Sequence, residues 1–175
     1  MELVFKIAGT LFVLGSSGYS AYALNGKIDQ RKVELRRLYS ILLQLKSEIQ
    51  YMGNPLPLSF EKMAEQEQYP FSAWFGQMAD RLQEKEKVQF ADLWEEEILH
   101  LYEISALKRE DLEPLLSLKD KLGALDITTQ MKALDYVLLQ LEHNRQNLEE
   151  EIKQKKKMVM SISVFIGFMT LILFI

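Results

Sequence analysis

The sequence predicts an all-α, membrane-anchored bundle of about six helices, the first and last continuous with apolar spans at the two ends of the chain. Three observations carry that expectation. Apolar residues recur at three- and four-residue steps through most of the 175 residues, Pro- and Gly-bearing turns separate the runs, and each end holds a long stretch almost free of charge. No stretch alternates for long in the strand period.

Leu3 to Leu24 is apolar apart from Lys6 and small hydroxyl residues, and its 22 residues are enough to cross a membrane. Ala21-Tyr22-Ala23 has the small-x-small form of a signal-peptide cleavage site. Two features oppose cleavage: no basic region precedes the apolar run, and Lys27, Arg31, Lys32, Arg36 and Arg37 follow it. Basic residues mark the cytoplasmic side of a span, so residues 1–26 read as a retained anchor.

Residues 27–152 read as a cytoplasmic helical body. A first helix is expected from about Lys27 to Met52, with Leu35, Leu38, Leu42, Leu45, Ile49 and Met52 on one face. Gly53-Asn54-Pro55-Leu56-Pro57 ends it, because two prolines so close cannot continue a helix interior. A short helix over Leu58–Glu67 offers Phe60, Met63 and Ala64 to a core. Tyr69-Pro70 opens the next, which carries Phe71, Trp74, Phe75, Met78 and Leu82 at helical spacing. A fourth, about Val88 to Ile104, turns Phe90, Leu93, Trp94, Ile98 and Leu101 inward and Asp92, Glu95, Glu96 and Glu103 outward. A fifth is expected from Asp111 to Leu122, with Pro114 in its first turn and Gly123 closing it through a positive φ.

The final helix begins at Asp126, whose carboxylate suits a free helix N-terminus. Ile127, Met131, Leu134, Leu138, Leu141, Leu148 and Ile152 share one face. Residues 153–175 then form a basic collar (Lys153, Lys155, Lys156 and Lys157) and eighteen uncharged residues, Met158 to Ile175. As helix these eighteen extend roughly 27 Å, close to a bilayer core of roughly 30 Å. Ser17 and Ala21, and Ser163 and Gly167, have the small-xxx-small spacing of helices that approach closely.

The net charge of −4 hides a segregation. Leu38 to Ile152 holds 11 Lys or Arg against 22 Asp or Glu, while both flanks are basic. The collars are suited to anionic headgroups and the acidic body is repelled by them. The acidic face at Glu95, Glu96 and Glu103 is either solvated or a dock for a basic partner. The absence of Cys excludes disulfides, a thiol nucleophile and cysteine-ligated metals. Glu97-Ile98-Leu99-His100 has the Glu-x-x-His form found in di-iron bundles, but such centres need a second unit, and His143 has Gln140 three residues before it. No phosphate loop or nucleophile elbow is present. The chain reads as a non-enzyme without cofactor.

Leu45-Lys-Ser-Glu-Ile-Gln-Tyr-Met-Gly-Asn-Pro-Leu-Pro-Leu-Ser-Phe-Glu-Lys-Met-Ala64, together with Leu122-Gly-Ala-Leu-Asp126 and Gln130, resembles the stage III sporulation protein AB family. A Leu-Gly that the family often shows is replaced here by Leu118-Lys119, and another at the head of the last span by Ser161-Ile162. The family's soluble domain is similar to the cytoplasmic domains of the type II secretion F protein. The resemblance implies a platform component of a sporulation channel complex in the mother-cell membrane facing the forespore. Its implied partners are a cytoplasmic sporulation ATPase and other channel-complex proteins. Gly53, Pro55, Pro57, Gly123 and Asp126 are expected to form the fold-critical turns. The alternative from a different class is a membrane-tethered helical adaptor or sensor unrelated to secretion.

Overall fold

The computed structural model describes residues 26–83, 89–123 and 126–174, with the side chains at 163, 164, 166–168 and 170–174 outside that set. Every regular element among them is a helix. α1 spans 26–47 and runs directly into one π-wound turn, Glu48–Met52. α2 (Leu56–Gln66), α3 (Phe71–Gln83), α4 (Phe90–Ile104), α5 (Arg109–Leu116), α6 (Lys119–Leu122) and α7 (Ile127–Phe174) follow. At 1.5 Å per residue, α7 is about 72 Å long. The N-terminal span expected at Leu3–Leu24, with Ser17 and Ala21, lies outside the described residues, as do the side chains of Ser163 and Gly167. Among the described residues no helix is long and apolar enough to cross a membrane.

The ion pairs Lys46–Asp135 and Arg36–Glu149 set α1 antiparallel to α7, since the lower-numbered residue of one helix meets the higher-numbered residue of the other. Leu35, Leu38, Ile41, Leu42 and Leu45 of α1 and Leu134, Val137, Leu138 and Leu141 of α7 all belong to one buried core. Fully burying each such side chain contributes about 1.5–3 kcal/mol. The two faces read from the sequence are therefore consumed inside the chain. Their outermost members behave differently: Met52 and Ile127 are exposed. The π turn, wound wider than the α turns before it, rotates Met52 off the seam.

α2 and α3 pair side by side, α3 leads to α4, and α5 and α6 bridge α4 to α7. Their shared core is aromatic. Trp94 stacks against Phe60 and Phe90 with ring centroids 6.2 and 5.7 Å apart, and Trp74 lies 5.6 Å from Trp94. The Trp94 indole N–H donates to the Leu115 carbonyl at 2.7 Å, tying α4 to α5.

Three boundaries depart from expectation. α2 begins at Leu56, so Pro57 lies within its first turn and Pro55 is its N-cap residue. Neither ring removes a bond from a helix interior. Pro70 stands just ahead of α3 and offers its carbonyl to the Trp74 N–H at 3.1 Å. The expected single helix over Asp111–Leu122 is two. α5 starts earlier, at Arg109, which makes Pro114 an interior residue. A proline there lacks the N–H that would bond the carbonyl four residues back. That carbonyl belongs to Glu110, and the Asn144 side-chain amide of α7 donates to it at 2.7 Å. Three residues on, the Ser117 N–H and hydroxyl both turn back to the Pro114 carbonyl at 3.2 and 2.7 Å and close α5.

The two turn glycines act for different reasons. Gly53 caps the π turn at φ 62°, in the left-handed region. Gly123 has φ −76°, so the expected positive φ is corrected; a Cβ there would lie 3.3 Å from Phe90 Cδ1. Close packing selects that glycine. Gly53→Ala is accordingly expected to cost about 1–2 kcal/mol through backbone strain, and Gly53→Asn distinctly less. Gly123→Ala costs about 1 kcal/mol or more by overpacking, relieved when Phe90 is also cut to leucine. Urea midpoints of the four variants check this; equal losses at Gly53 for Ala and Asn contradict the left-handed assignment.

Candidate functional site

The basic residues after the first apolar stretch are not a free collar. Arg31 is 5% exposed and inserts its guanidinium between α5 side chains. Its Nε and Nη2 donate to the Asp111 carboxylate at 2.7 and 2.9 Å, and Nη2 also donates to Glu110 at 2.6 Å. Burial pulls the Arg31 pKa down, but the bonds to Asp111 and Glu110 and their charges outweigh it and hold it above the ordinary value. Asp111 Oδ2 additionally accepts the Lys108 N–H at 2.9 Å, so one carboxylate fixes both Arg31 and the start of α5.

The rest of the α1 polar face is engaged likewise. Buried Glu34 accepts the Ala106 N–H at 2.6 Å from the α4–α5 connection. Arg37 holds Glu67, after α2, through two bonds of 2.6 and 2.8 Å. Lys32 and Arg36 both approach Glu149 of α7, at 3.9 and 3.6 Å. Four of the five residues read as a headgroup collar thus face carboxylates of this chain, and Lys27 is exposed. The reason is long-range: the partners sit 30 to 117 residues away, and spacing along the chain does not reveal them. The second collar differs. Lys153, Lys155, Lys156 and Lys157 are all exposed on α7.

The acidic face is partly neutralised in the same manner. Glu95 pairs with Lys119 at 3.0 Å and Glu96 with Arg81 at 2.7 Å, whereas Glu103 is exposed beside the end of α4. Glu97, the acid of the Glu-x-x-His unit, is 4% exposed and accepts from Arg81 at 3.1 Å. Among the described residues no group of three or more His, Asp or Glu is arranged to hold a metal ion.

The remaining turn residues are placed by hydrogen bonds. Asp126 accepts the Thr128 and Thr129 N–H groups at 3.1 and 2.9 Å and the Thr129 hydroxyl at 2.6 Å. Those bonds lower its pKa. Gln130 donates to the Leu122 carbonyl at 2.7 Å and joins α7 back to α6. Glu48, in the π turn, accepts from Asn54 at 2.7 Å and faces Lys62 at 3.5 Å, which closes the turn bearing Gly53 and Pro55 onto α2.

Farther along α7, Arg145 and Gln146 donate to Glu142 and hold its carboxyl down at about 2. A carboxylate with a depressed folded pKa stabilises the fold above its ordinary value and loses that contribution as pH falls through the folded one. For Glu142 the window runs from about 4.5 down to about 2. Glu142→Gln is therefore expected to flatten the acid limb of a stability–pH curve in that window and to change little at neutral pH. An acid limb identical to that of the parent chain would show that the Arg145 contact does not form in solution.

These features define a class: a helical-bundle protein built on two long antiparallel helices, cross-tied by buried and half-buried ion pairs. The model of the family described as Stage III sporulation protein AB matches residues 6–175, and the chain belongs to that family. Stage III sporulation protein AB of Bacillus subtilis (strain 168) is 24% identical over 170 residues, covering 97% of this chain and 99% of that protein. A solved structure of Stage III sporulation protein AB (SpoIIIAB) shares the fold with a TM-score of 0.64 at 27% identity, covering 71% of this chain and 97% of the solved one.

Proposed function

We propose that this sporulation protein is a non-enzymatic, membrane-tethered platform whose cytoplasmic bundle receives a force or contact from a cytoplasmic ATPase and delivers it to the mother-cell membrane. The observation that carries the reading is the continuity of α7. One helix begins at Ile127, runs through the bundle, passes the exposed Lys153, Lys155, Lys156 and Lys157 and extends to Phe174 without a break. Helical hydrogen bonds make such a rod stiff, and the α1 ion pairs fasten it to the rest of the bundle. The apolar residues from Met158 onward supply the tether, and the role given to the ATPase follows from the resemblance to F-type secretion proteins expected from the sequence. Residues 1–26 provide a second anchor in this reading, with both chain ends across the membrane from the bundle.

Two experiments test separate halves. Alkaline carbonate washing of membranes from sporulating cells leaves an integral protein in the pellet; release into the supernatant removes the tether. Insertion of four glycines between Gln154 and Lys155 keeps both anchors and the bundle but interrupts the rod. A large loss of spores with unchanged protein level and membrane location is the expected result. Normal sporulation with that insertion excludes transmission through α7 while leaving simple anchoring intact.

A further inference from the structure

The inward face of α7 changes character where it passes Ile28 and Asp29 of α1. Through the bundle that face is apolar, and Leu134, Leu138, Leu141 and Leu148 are buried along it. Continued at three- and four-residue steps, the same face carries Ile152, Lys155, Lys156, Val159 and Met160. Opposite stand Ile28 and Asp29 of α1. Between them the helices enclose an open cleft of about 440 Å³ lined by these seven residues. Lysines occupy seam positions that elsewhere hold leucine, and among the described residues no side chain fills the cleft.

Its chemistry is divided. Lys155 and Lys156 are exposed cations, and the single carboxylate of Asp29 leaves the lining with an excess of one positive charge. Ile28, Ile152, Val159 and Met160 add an apolar wall that extends along α7 toward the uncharged tail. A free inorganic anion would use only the lysines. An acyl-linked phosphate uses both, since its charge meets the ammonium groups while its chain lies along Val159 and Met160. The lysines on other sides of the helix, Lys153 and Lys157, do not line the cleft.

We propose that this cleft binds the phosphate group of an anionic phospholipid, so that α1 and α7 close on one lipid where the bundle meets the bilayer. The source of the phosphate rests on the membrane reading above; the cleft and its charge do not. The site also gives the two exposed lysines a role distinct from that of the general collar, which attracts any anionic surface.

The full chain, purified in a nonionic detergent and incubated with equal amounts of phosphatidylglycerol and phosphatidylcholine, is assayed by native mass spectrometry for retained lipid. Retention of one phosphatidylglycerol in preference to phosphatidylcholine is expected. Lys155→Gln with Lys156→Gln should reduce that retention by tenfold or more, as should Ile28→Trp, which fills the cleft without altering charge. Lys153→Gln with Lys157→Gln removes the same charge from outside the cleft and should retain the lipid. Equal losses in the two double variants, or no loss in Ile28→Trp, overturn the site in favour of diffuse attraction. Inorganic phosphate is tested alone by thermal unfolding in the same detergent. Stabilisation by phosphate that disappears in Lys155→Gln with Lys156→Gln assigns the site to the free anion and overturns the lipid source; stabilisation by phosphatidylglycerol alone supports it. A chain that retains the lipid in detergent yet washes off membranes would refute the tether without touching the cleft.

Discussion

Asp111→Ala is expected to destabilise the bundle by about 3 kcal/mol, because it leaves the buried Arg31 guanidinium with Glu110, an exposed carboxylate, as its remaining partner. Asp111 is fully buried and Arg31 nearly so, and the pair joins α1 to α5 through two bonds of 2.7 and 2.9 Å. Taking a charge out of water is costly unless a partner replaces the lost hydration, so removing one member harms more than removing both. Arg31→Met combined with Asp111→Leu should therefore recover most of the loss. It will not recover all of it, since the Lys108 N–H at the start of α5 also depends on the Asp111 carboxylate. Urea unfolding of the full chain in detergent, followed by circular dichroism, measures the three variants. A loss below about 1 kcal/mol for Asp111→Ala would be the value of an exposed pair and would refute the buried one. The same variants carry a functional consequence. If the ion pairs of α1 hold the bundle to the α7 rod, Asp111→Ala should lower spore yield at temperatures where the protein is still present in the membrane fraction.

Trp94→Ala is the second large effect, at about 3–5 kcal/mol. The indole is completely buried and packs against Phe60, Trp74 and Phe90 from three different helices. Its N–H also satisfies the Leu115 carbonyl, next to the Ser117 turn that separates α5 from α6. Trp94→Phe divides the two contributions. Phenylalanine retains much of the apolar contact but removes one donor from the Leu115 carbonyl, which still accepts the Leu118 N–H at 3.0 Å, and should cost about 1 kcal/mol. The protein has two tryptophans, so the unfolding of Trp94→Phe is still reported by Trp74 fluorescence. A Phe variant as stable as the parent would mean that water or another donor replaces the indole at Leu115.

Much of this architecture was legible in the chain because helices write their packing in local spacing. The faces of α1 and α7, the aromatic run of α3 and the inward positions of α4 repeat every three or four residues, and most of these residues are buried or half-buried, with Met52 and Ile127 at the ends exposed. Asp126 and the Gly53–Pro57 turn are legible for a similar reason, since caps and breakers act within a few residues of themselves. The uncharged end segments are equally a property of sequence, and membrane anchoring is proposed from them.

What spacing does not carry is the destination of a charge. Arg31, Arg36 and Arg37 are indistinguishable in sequence from Lys153, Lys155 and Lys156: all are cations beside an apolar stretch. Only the packing of α5 against α1, which brings Asp111 within 2.7 Å of a residue 80 positions away, makes Arg31 internal. The same holds for Glu97, a buried carboxylate of α4 that meets the half-exposed Arg81 of α3. Pro114 shows the converse dependence. Its position inside α5 is tolerated because α7 presents Asn144 to the carbonyl that the proline leaves free. The sequence by itself determined the helices, their apolar faces and the segments suited to a membrane, since these follow from periodicity and local chemistry. The tertiary structure alone decided which charges are used inside the fold and which remain for a partner, because an ion pair depends on distance in space, and no local pattern encodes it.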